Sequence, residues 1–255
     1  MDRLAVISDI HGNIPALETV LDDIRSRGIN RIFCLGDVVG KGPQPERAVD
    51  ICREVCEITV MGNHDEFMSS GREHPALPFI SWHRERLGEE RLEYLRQLPP
   101  VHNLTLSGHR LRLYHASHIG PYHRVHAGAA EEDQRAMFGN TEFTGDGATP
   151  YAVGYADIHQ GFVKTFRGGG VLFNTGSVGN PLDEPLASYA ILEGDLGSEE
   201  PGPFSVQLVR LPYDIDRAVE IAGEEGLPED EFLAWEDELR TGRYRLDPAS
   251  RAWRE

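Results

Sequence analysis

The sequence has 255 residues, of which 40% are hydrophobic and 26% charged, and its 42 acidic against 25 basic residues give a formal net charge of −17. This length suits one large α/β domain. The acidic balance disfavours a general binding surface for nucleic acid or an anionic membrane, which would need basic stripes. A phosphate-bearing substrate is not excluded, because bound metal ions can reverse the local field inside an acidic protein.

The sequence shows no signal for a membrane or for export. No apolar stretch approaches the roughly 20 residues that cross a bilayer, and Met1 leads almost at once into a predicted strand, which leaves no room for a cleavable leader. Three cysteines are too few for a disulfide framework, so reduced thiols are expected. We therefore expect a cytoplasmic protein with no membrane partner, and the sequence leaves open whether it forms a homo-oligomer.

The N-terminal part of the chain alternates between strand and helix patterns. Short β-rich runs cover residues 3–8, 31–35 and 58–60. Apolar residues repeat at helical spacing from Leu17 to Ile24, and a second helix is expected at about 45–56. This order is typical of a parallel sheet with crossover helices.

The remainder of the chain is helical, then β-rich, then helical again. The sequence predicts a charged helical segment at about 75–98 and then a hairpin of strands 101–106 and 110–115. A long polar segment, 116–150, follows with one helix near 129–137. Further strands are expected at 152–155, 162–166, 171–173, 188–192 and 204–211, and acidic helices near 216–222 and 230–239. We expect a single domain over 1–255, in which residues 204–255, a C-terminal strand and acidic helices, pack on the core.

Asp, His and Asn side chains gather where predicted strands end. The segments are Asp9-Ile10-His11, Gly36-Asp37, Gly62-Asn63-His64-Asp65, His115, and Asp157-Ile158-His159. The carboxyl ends of parallel strands share one edge of a sheet, where ligands bind, so these segments are expected to converge. Each segment alone is typical of an ordinary turn, but their joint placement indicates a site. Carboxylate, imidazole and amide oxygen suit a divalent ion such as Mn, Fe, Co or Zn.

Taken together, these segments resemble the signature of the calcineurin-like metallophosphoesterases: Asp-x-His, Gly-Asp, Gly-Asn-His-Asp, a lone His and a final His. The segment Asn174-Thr-Gly-Ser-Val-Gly179 is also similar to the small bacterial and archaeal phosphodiesterase branch of that superfamily. The resemblance implies the α/β fold class. It implies a four-layer α/β/β/α sandwich in which two mixed β-sheets lie face to face and metals bind at their shared edge.

The resemblance also implies two divalent metal ions, with Mn or Fe favoured and Co, Ni or Zn left open. The implied ligands are Asp9, His11 and His159 for the first metal, Asn63 and His115 for the second, and Asp37 as a bridge. Two metals about 3.5–4 Å apart clamp the attacking and leaving oxygens of a phosphate displacement. A water between them would lose a proton and become the nucleophile.

The same resemblance implies a catalytic role for His64. This side chain would face the substrate, where it would stabilise phosphoryl charge or protonate the leaving oxygen. Asp65 would orient the His64 ring.

Three further residues are candidates for substrate binding. Asn13 belongs to the first motif, and His118 lies in the long polar segment, where a hydrated loop is the simpler explanation. Arg124 is close to the motifs in the sequence and could neutralise a substrate oxygen. Lys41 could do the same.

One segment departs from the family pattern. Family members usually read Gly-His-x-His where this chain reads Ala156-Asp157-Ile158-His159. The first His of that pair normally completes the second metal site, so we expect Asp157 to be a ligand in its place. The added carboxylate would favour Mn or Fe over Zn. Alternatively, Asp157 weakens the second site and leaves one tight metal.

The leading hypothesis is a metal-dependent phosphoesterase acting on a small phosphate ester, and the branch resemblance favours a phosphodiesterase. After Gly36-Asp37 the chain lacks the Asp-Arg-Gly continuation of protein phosphatases, so a phosphoprotein substrate is less favoured. One alternative is a non-catalytic phosphate- or metal-binding protein. Another is a nuclease, which a patch of Arg124, Arg135 and Arg167 near the site would support, although the net charge disfavours long polyanions.

Overall fold

The computed structural model describes residues 1–72 and 79–245. Within those ranges the strands are β1 (Asp2–Ile7), β2 (Arg31–Cys34), β3 (Ile58–Thr59), β4 (Val101–Leu106), β5 (His109–Tyr114), β6 (Ala152–Tyr155), β7 (Phe162–Thr165), β8 (Val171–Asn174), β9 (Ala187–Gly194) and β10 (Ser205–Leu211). The helices are α1 (Ile14–Ser26), α2 (Pro45–Val55), α3 (Asn63–Ser69), α4 (Phe79–Arg96), α5 (Glu131–Ala136), α6 (Ile215–Glu224) and α7 (Glu229–Thr241).

The strands form two five-stranded sheets. The first has the order β10-β9-β1-β2-β3, in which β1, β2 and β3 are parallel and β9 is antiparallel to both β1 and β10. The second has the order β4-β5-β6-β8-β7, in which β5, β6 and β8 are parallel and β4 and β7 are antiparallel edge strands. Both sheets are mixed, which confirms the prediction.

Strand β1 lies at the centre of the first sheet and is buried on both faces. Its side chains alternate, so that Leu4 and Val6 face the second sheet whereas Ala5 and Ile7 face the helices. The apolar layer between the sheets includes Leu4, Val6, Phe33, Leu35, Val60, Leu106, Leu111, Leu113, Ala152, Phe173, Ala190 and Leu192. This shared layer holds the two sheets face to face.

Helices and loops cover the outer faces of both sheets. Helices α1 to α4 pack on the first sheet, and α1 buries Leu17 and Val20 there. Residues 116–150 cover the second sheet, where Met137 packs with Tyr114. Helix α6 packs on α1 and on α7. The predicted α/β/β/α order is confirmed, although the outer layer of the second sheet is mostly irregular chain with α5, a helix of 6 residues.

The main local difference from the predicted elements follows β3. The sequence predicts a break at Gly62-Asn63, but the chain continues from Asn63 into α3. The helix begins there because the Asp65 side chain accepts a hydrogen bond from the Gly62 N–H at 3.0 Å, as in a capping box. Helix α4 matches the predicted helical segment. Residues 75–78 of that segment, and residues 246–255 of the predicted C-terminal region, lie outside the described ranges.

Helix α4 contains a buried histidine. His83 is fully buried, and its ring lies edge-on to the rings of Phe79 and Trp82 at 6.0 and 5.0 Å. Neither ring nitrogen has a partner among residues 1–72 and 79–245. Burial lowers the pKa of His83 to about 3, because an imidazolium there would lose its hydration.

Replacing His83 with Phe should reduce the acid sensitivity of folding. The unfolded chain takes up this proton near the ordinary pKa of 6.5, whereas the folded protein resists it until about pH 3, so His83 destabilises the fold as pH falls through that window. In urea unfolding of metal-free protein, the free energy lost between pH 7 and pH 5 should be smaller in His83→Phe by about 2 kcal/mol. His126 is exposed, so His126→Phe should lose as much free energy of unfolding as wild type over this pH range. The same loss in His83→Phe would show that buried His83 does not cause the acid sensitivity.

Candidate metal centre

The loops after β1 and β2 continue the pairing of these strands beyond their ends. Asp9 N donates to Gly36 O at 2.9 Å, and His11 N donates to Asp37 O at 3.0 Å. Gly36 has a φ of 89°, and a Cβ there would lie 2.4 Å from the Gly62 nitrogen. Only glycine allows the loops after β2 and β3 to approach this closely, and the three loops therefore share one edge.

Five predicted site residues have a left-handed backbone. The φ angles are 50° for Asp9, 49° for His11, 51° for Asp37, 60° for Asp157 and 55° for His159. Among the described residues, one other non-glycine position has a positive φ. Each such residue costs about 1–2 kcal/mol. Strain of this kind persists where the surrounding structure holds it, typically at functional sites.

The side chains of these loops meet in a buried cluster. His11 Nε2 lies 3.3 Å from His159 Nε2 and 3.7 Å from Asp37 Oδ2. Asp9 Oδ1 lies 3.3 Å from His159 Nε2, and His115 Nε2 lies 3.5 Å from Asp37 Oδ2. Two sets have ligand atoms all within 4.8 Å of one another, namely Asp9 with His11 and His159, and Asp9 with Asp37 and His115. The structure thus brings five of the predicted metal ligands together.

Main-chain carbonyls set the orientation of the three clustered imidazoles. Each Nδ1 lies at hydrogen-bonding distance from a carbonyl oxygen: His11 from Val39 at 3.0 Å, His115 from Leu35 at 2.7 Å, and His159 from Asn180 at 2.5 Å. A neutral ring that donates from Nδ1 has its lone pair on Nε2, and all three Nε2 atoms face the cluster. Metal-binding histidines are held in the same way.

Asn63 and Asp157 border the cluster on the side of His115. Asn63 Oδ1 lies 2.9 Å from His115 Nε2, and Asp157 Oδ1 lies 3.8 Å from the same nitrogen. A turned Asn63 amide would instead donate to Asp37 Oδ2, His115 Nε2 and Asp157 Oδ1, at 3.2, 2.9 and 3.3 Å. In either orientation the two side chains lie beside His115, where the sequence predicts the second set of ligands.

The charges and hydrogen bonds of the cluster fit a bound cation. Asp9 Oδ1 is buried, has no hydrogen-bond partner among the described residues, and faces the lone pair of His159. Asp37 is buried as well, and its Oδ2 lies 3.7 Å from His11 Nε2 and 3.5 Å from His115 Nε2. Asp157 adds a third buried carboxylate. Buried acceptors that face one another without a shared proton are stabilised by a divalent ion.

Helix α3 presents His64 to the cluster and holds the neighbouring loops through Asp65. The His64 N–H donates to Asp37 Oδ1 at 2.9 Å, and its ring meets the His11 ring edge-on at 5.0 Å. Burial lowers the pKa of His64 to about 4. Asp65 accepts hydrogen bonds from the N–H groups of Asp37 and Gly62 at 2.8 and 3.0 Å, so it supports the loop that carries Asp37. Orientation of the His64 ring by Asp65 stays a prediction.

Of the predicted substrate-binding residues, Asn13 has a role in the fold and His118 is not in contact with the cluster among the described residues. Asn13 is the N-cap of α1, where its Oδ1 accepts from Ala16 N at 3.2 Å and its amide nitrogen donates to Gly179 O at 2.8 Å. His118 is half-buried, and within the described ranges no hydrogen bond, ion pair or ring contact joins its side chain to the cluster. A substrate contact by either residue stays a prediction, and in Asn13 it would have to replace one of these bonds.

Arg124 pairs with the residue that departs from the family pattern. Arg124 Nε lies 2.8 Å from Asp157 Oδ2, whereas Asp157 Oδ1 is directed toward His115. The arginine side chain is 38% exposed and the aspartate 2%. The pair offsets the charge that an aspartate adds in place of a histidine, and it leaves one carboxylate oxygen on the cluster side.

A lysine, an asparagine and a glutamate lie behind the cluster. Lys41, a candidate for a substrate oxygen, donates to Asn180 Oδ1 at 2.7 Å and to Glu238 Oε2 at 2.6 Å. The sequence pattern of α7 could have indicated Glu238. Trp235, Glu238 and Leu239 are spaced as on one face of a helix, and all three are buried. An acidic residue in an apolar stripe indicates a buried partner.

Comparisons with known proteins agree with this fold and cluster. Residues 3–196 match the calcineurin-like phosphoesterase superfamily domain. An uncharacterized protein of Methanocaldococcus jannaschii is 33% identical over 236 residues, which cover 89% of this chain and 94% of that protein. Phosphodiesterase YfcE of Escherichia coli K12 is 26% identical over 206 residues, 77% of this chain and 90% of that protein. The crystal structure of a metallophosphoesterase from Sphaerobacter thermophilus aligns with a TM-score of 0.71 and 27% identity, and covers 94% of this chain and 99% of that chain.

The fold and its buried Asp/His cluster are therefore those of the metallophosphoesterase class. The chain belongs to the calcineurin-like phosphoesterase superfamily, and the resemblance carried by its motifs is confirmed. The family uses divalent metals, and the clustered side chains are candidate ligands. Within the described ranges, no helix combines the length and the apolar character that crossing a membrane requires.

Substitutions at Asp157 should distinguish a ligand from a neighbour of the centre. Asp157→Ala should weaken one of two manganese-binding steps, because it removes an oxygen and leaves Arg124 unpaired beside the cluster. Asp157→His should restore that step, since it supplies a nitrogen at the same position. Calorimetric titration of metal-stripped protein with Mn²⁺ measures both steps. Asp133 is exposed, so Asp133→Ala controls for the loss of one negative charge. If both manganese-binding steps of Asp157→Ala have wild-type affinity, Asp157 is not a ligand.

Proposed function

We propose that the chain is a metal-dependent phosphoesterase, and specifically a phosphodiesterase, that hydrolyses a P–O bond of a small phosphate ester at a two-metal centre. The buried cluster is the main support. Three imidazole lone pairs converge there with Asp9 Oδ1, which has no hydrogen-bond partner among the described residues. The similarity to an E. coli protein named a phosphodiesterase supports the diester.

The proposed ligands fall into two sets that share one carboxylate. They are Asp9, His11 and His159 for one ion, Asn63, His115 and Asp157 for the other, and Asp37 between them. Asp37 suits the shared position because its Oδ2 lies 3.7 Å from His11 Nε2 and 3.5 Å from His115 Nε2. The oxygen-rich set favours Mn or Fe, with Co, Ni or Zn as alternatives. Bound divalent ions supply Lewis acidity toward phosphate and activate water.

The contacts of Asp157 support an intact second set of ligands over a weakened one. Its Oδ2 is bound to Arg124, so the carboxylate is held in one orientation with Oδ1 toward His115. A charge-assisted hydrogen bond of this kind limits the repulsion between Asp157 and Asp37. The exposed part of the Arg124 guanidinium remains available to a substrate oxygen.

His64 is the proposed catalytic residue. Its backbone is tied to the shared ligand Asp37, and its ring lies beside His11, so the imidazole is at the cluster without belonging to either proposed set. Burial lowers the pKa of His64 to about 4, and the ring is therefore neutral at pH 7. A neutral imidazole donates one N–H, which can stabilise the charge that develops on a phosphoryl oxygen.

The contacts of the arginines give less support to a nuclease. Arg135, one of the three that such a surface would use, is paired with Glu131 at 2.8 Å and donates to the Arg167 carbonyl at 3.0 Å. A small substrate also suits the strongly acidic chain better than a long polyanion. The cytoplasmic location and the single domain over 1–255 stay predictions from the sequence.

His64→Ala should slow hydrolysis without releasing metal. The variant removes one donor to the phosphoryl group and none of the proposed ligands, so kcat should fall about 10²- to 10³-fold. Turnover of bis-p-nitrophenyl phosphate and p-nitrophenyl phosphate by metal-reloaded protein measures the loss, and metal content is determined on the same samples. The preferred chromogen separates a diesterase from a monoesterase.

His109→Ala is the matched control. His109 is the first residue of β5, whereas His115 follows its last residue, and the His109 ring stacks on Tyr151. Equal turnover by wild type and His64→Ala would remove the catalytic role of His64. No turnover by wild type with Mn, Fe, Co, Ni, Zn or Mg would favour a non-catalytic phosphate- or metal-binding protein.

A further inference from the structure

A buried charged network joins the C-terminal helix α7 to the loop behind His159. Glu238 Oε2 accepts from Lys41 Nζ at 2.6 Å and from Asn180 Nδ2 at 3.0 Å. Lys41 Nζ also donates to Asn180 Oδ1 at 2.7 Å. Both ends of the Asn180 amide are therefore engaged by one ion pair.

Asn180 is also the residue whose main chain faces His159. Its carbonyl oxygen lies 2.5 Å from His159 Nδ1, and its N–H donates to Ser177 Oγ at 2.8 Å. Leu182 N donates to His159 O at 3.1 Å, so the two loops are bonded through main chain as well. The orientation of the His159 ring thus depends on where Asn180 is held.

Helix α7 is packed tightly against the loops that it supports. Trp235 is 1% exposed, and a Cβ on Gly42 would approach its ring to 2.7 Å. Gly42 N in turn donates to His11 O at 2.7 Å. Glu238 is 4% exposed, and the Lys41 side chain 14%. One face of α7 therefore contacts the loop of His11 and, through Asn180, the loop of His159.

A buried lysine–glutamate pair contributes little to stability, because desolvation of both charges offsets their attraction. Separating the two charges would leave each of them buried without compensation. The pair therefore holds the side chains that it joins in one arrangement. Groups that hold a ligating histidine through its second nitrogen affect metal affinity although they never touch the ion. The network has both properties, and α7 lies beyond residues 3–196, which match the family domain.

We propose that Lys41 and Glu238 are positioning residues that hold Asn180, so that its carbonyl keeps the Nε2 of His159 directed into the metal centre. This inference rests on the proposed function, which assigns His159 as a ligand. It makes the C-terminal helix part of the metal site of this chain.

The test compares Glu238→Gln and Lys41→Met with wild type in the full-length chain. Mn²⁺ titration of metal-stripped protein against a competing chelator measures the two binding steps, and the visible spectrum of Co²⁺-loaded protein reports the geometry of the ligands. One step should weaken about 10- to 100-fold with an altered cobalt spectrum, while the other step is unchanged. Arg240→Gln is the matched control, because Arg240 lies on the same helix but pairs with the exposed Asp216 and with Glu236.

A double variant keeps the test valid if a single variant fails to fold. Lys41→Met combined with Glu238→Leu removes both charges and leaves neither unpaired, and one binding step should still weaken because Asn180 has lost both partners. Wild-type affinity in the folded double variant, or equal weakening of both steps, would overturn the positioning role. If wild type binds two ions and every variant matches it, this inference alone fails. If wild type binds no metal, the proposed function fails with it.

Discussion

The candidate centre depends on the hydrogen bonds between three imidazoles and main-chain carbonyls of neighbouring loops. In each case the ring comes from one strand end and the carbonyl from another. His11 follows β1 and His115 follows β5, and both are bonded to the chain just after β2. His159 follows β6 and is bonded to the chain after β8. The His115 bond crosses from the second sheet to the first, and His159 of the second sheet meets His11 of the first. The three Nε2 atoms therefore converge only when the two sheets are packed against each other.

The same loops hold unfavourable conformations and charges that the fold compensates. Left-handed φ angles occur at Asp9 and Asp37, and both carboxylates are buried with little hydration. Asp65 offsets part of this cost through bonds to main-chain N–H groups. A cation between the carboxylates would stabilise the remainder. Metal binding would therefore be coupled to the stability of these loops, as it is in metal sites formed by folding.

Segments outside the shared motifs adapt the family fold in this chain. Arg124, from the long segment over the second sheet, compensates the buried carboxylate of Asp157. Glu238, from the C-terminal helix, compensates one of the two lysines of the chain at a buried position. In both cases a charge close to the cluster is matched by a partner from a different layer. Distant parts of the sequence thus supply the countercharges of Asp157 and Lys41.

The sequence by itself determined the strands, most helices and the identity of the residues that converge, because strand and helix periodicities and the polar residues at strand ends are local features. Helix α3 was missed, since its first turn depends on an Asp65 carboxylate that also binds the Asp37 loop. Only the tertiary structure decided which charges pair. Arg124 and Asp157 are 33 residues apart, and Lys41 and Glu238 are 197 apart. Periodicity shows which face of an element is buried, but the partner on the opposing face is set by how the layers pack.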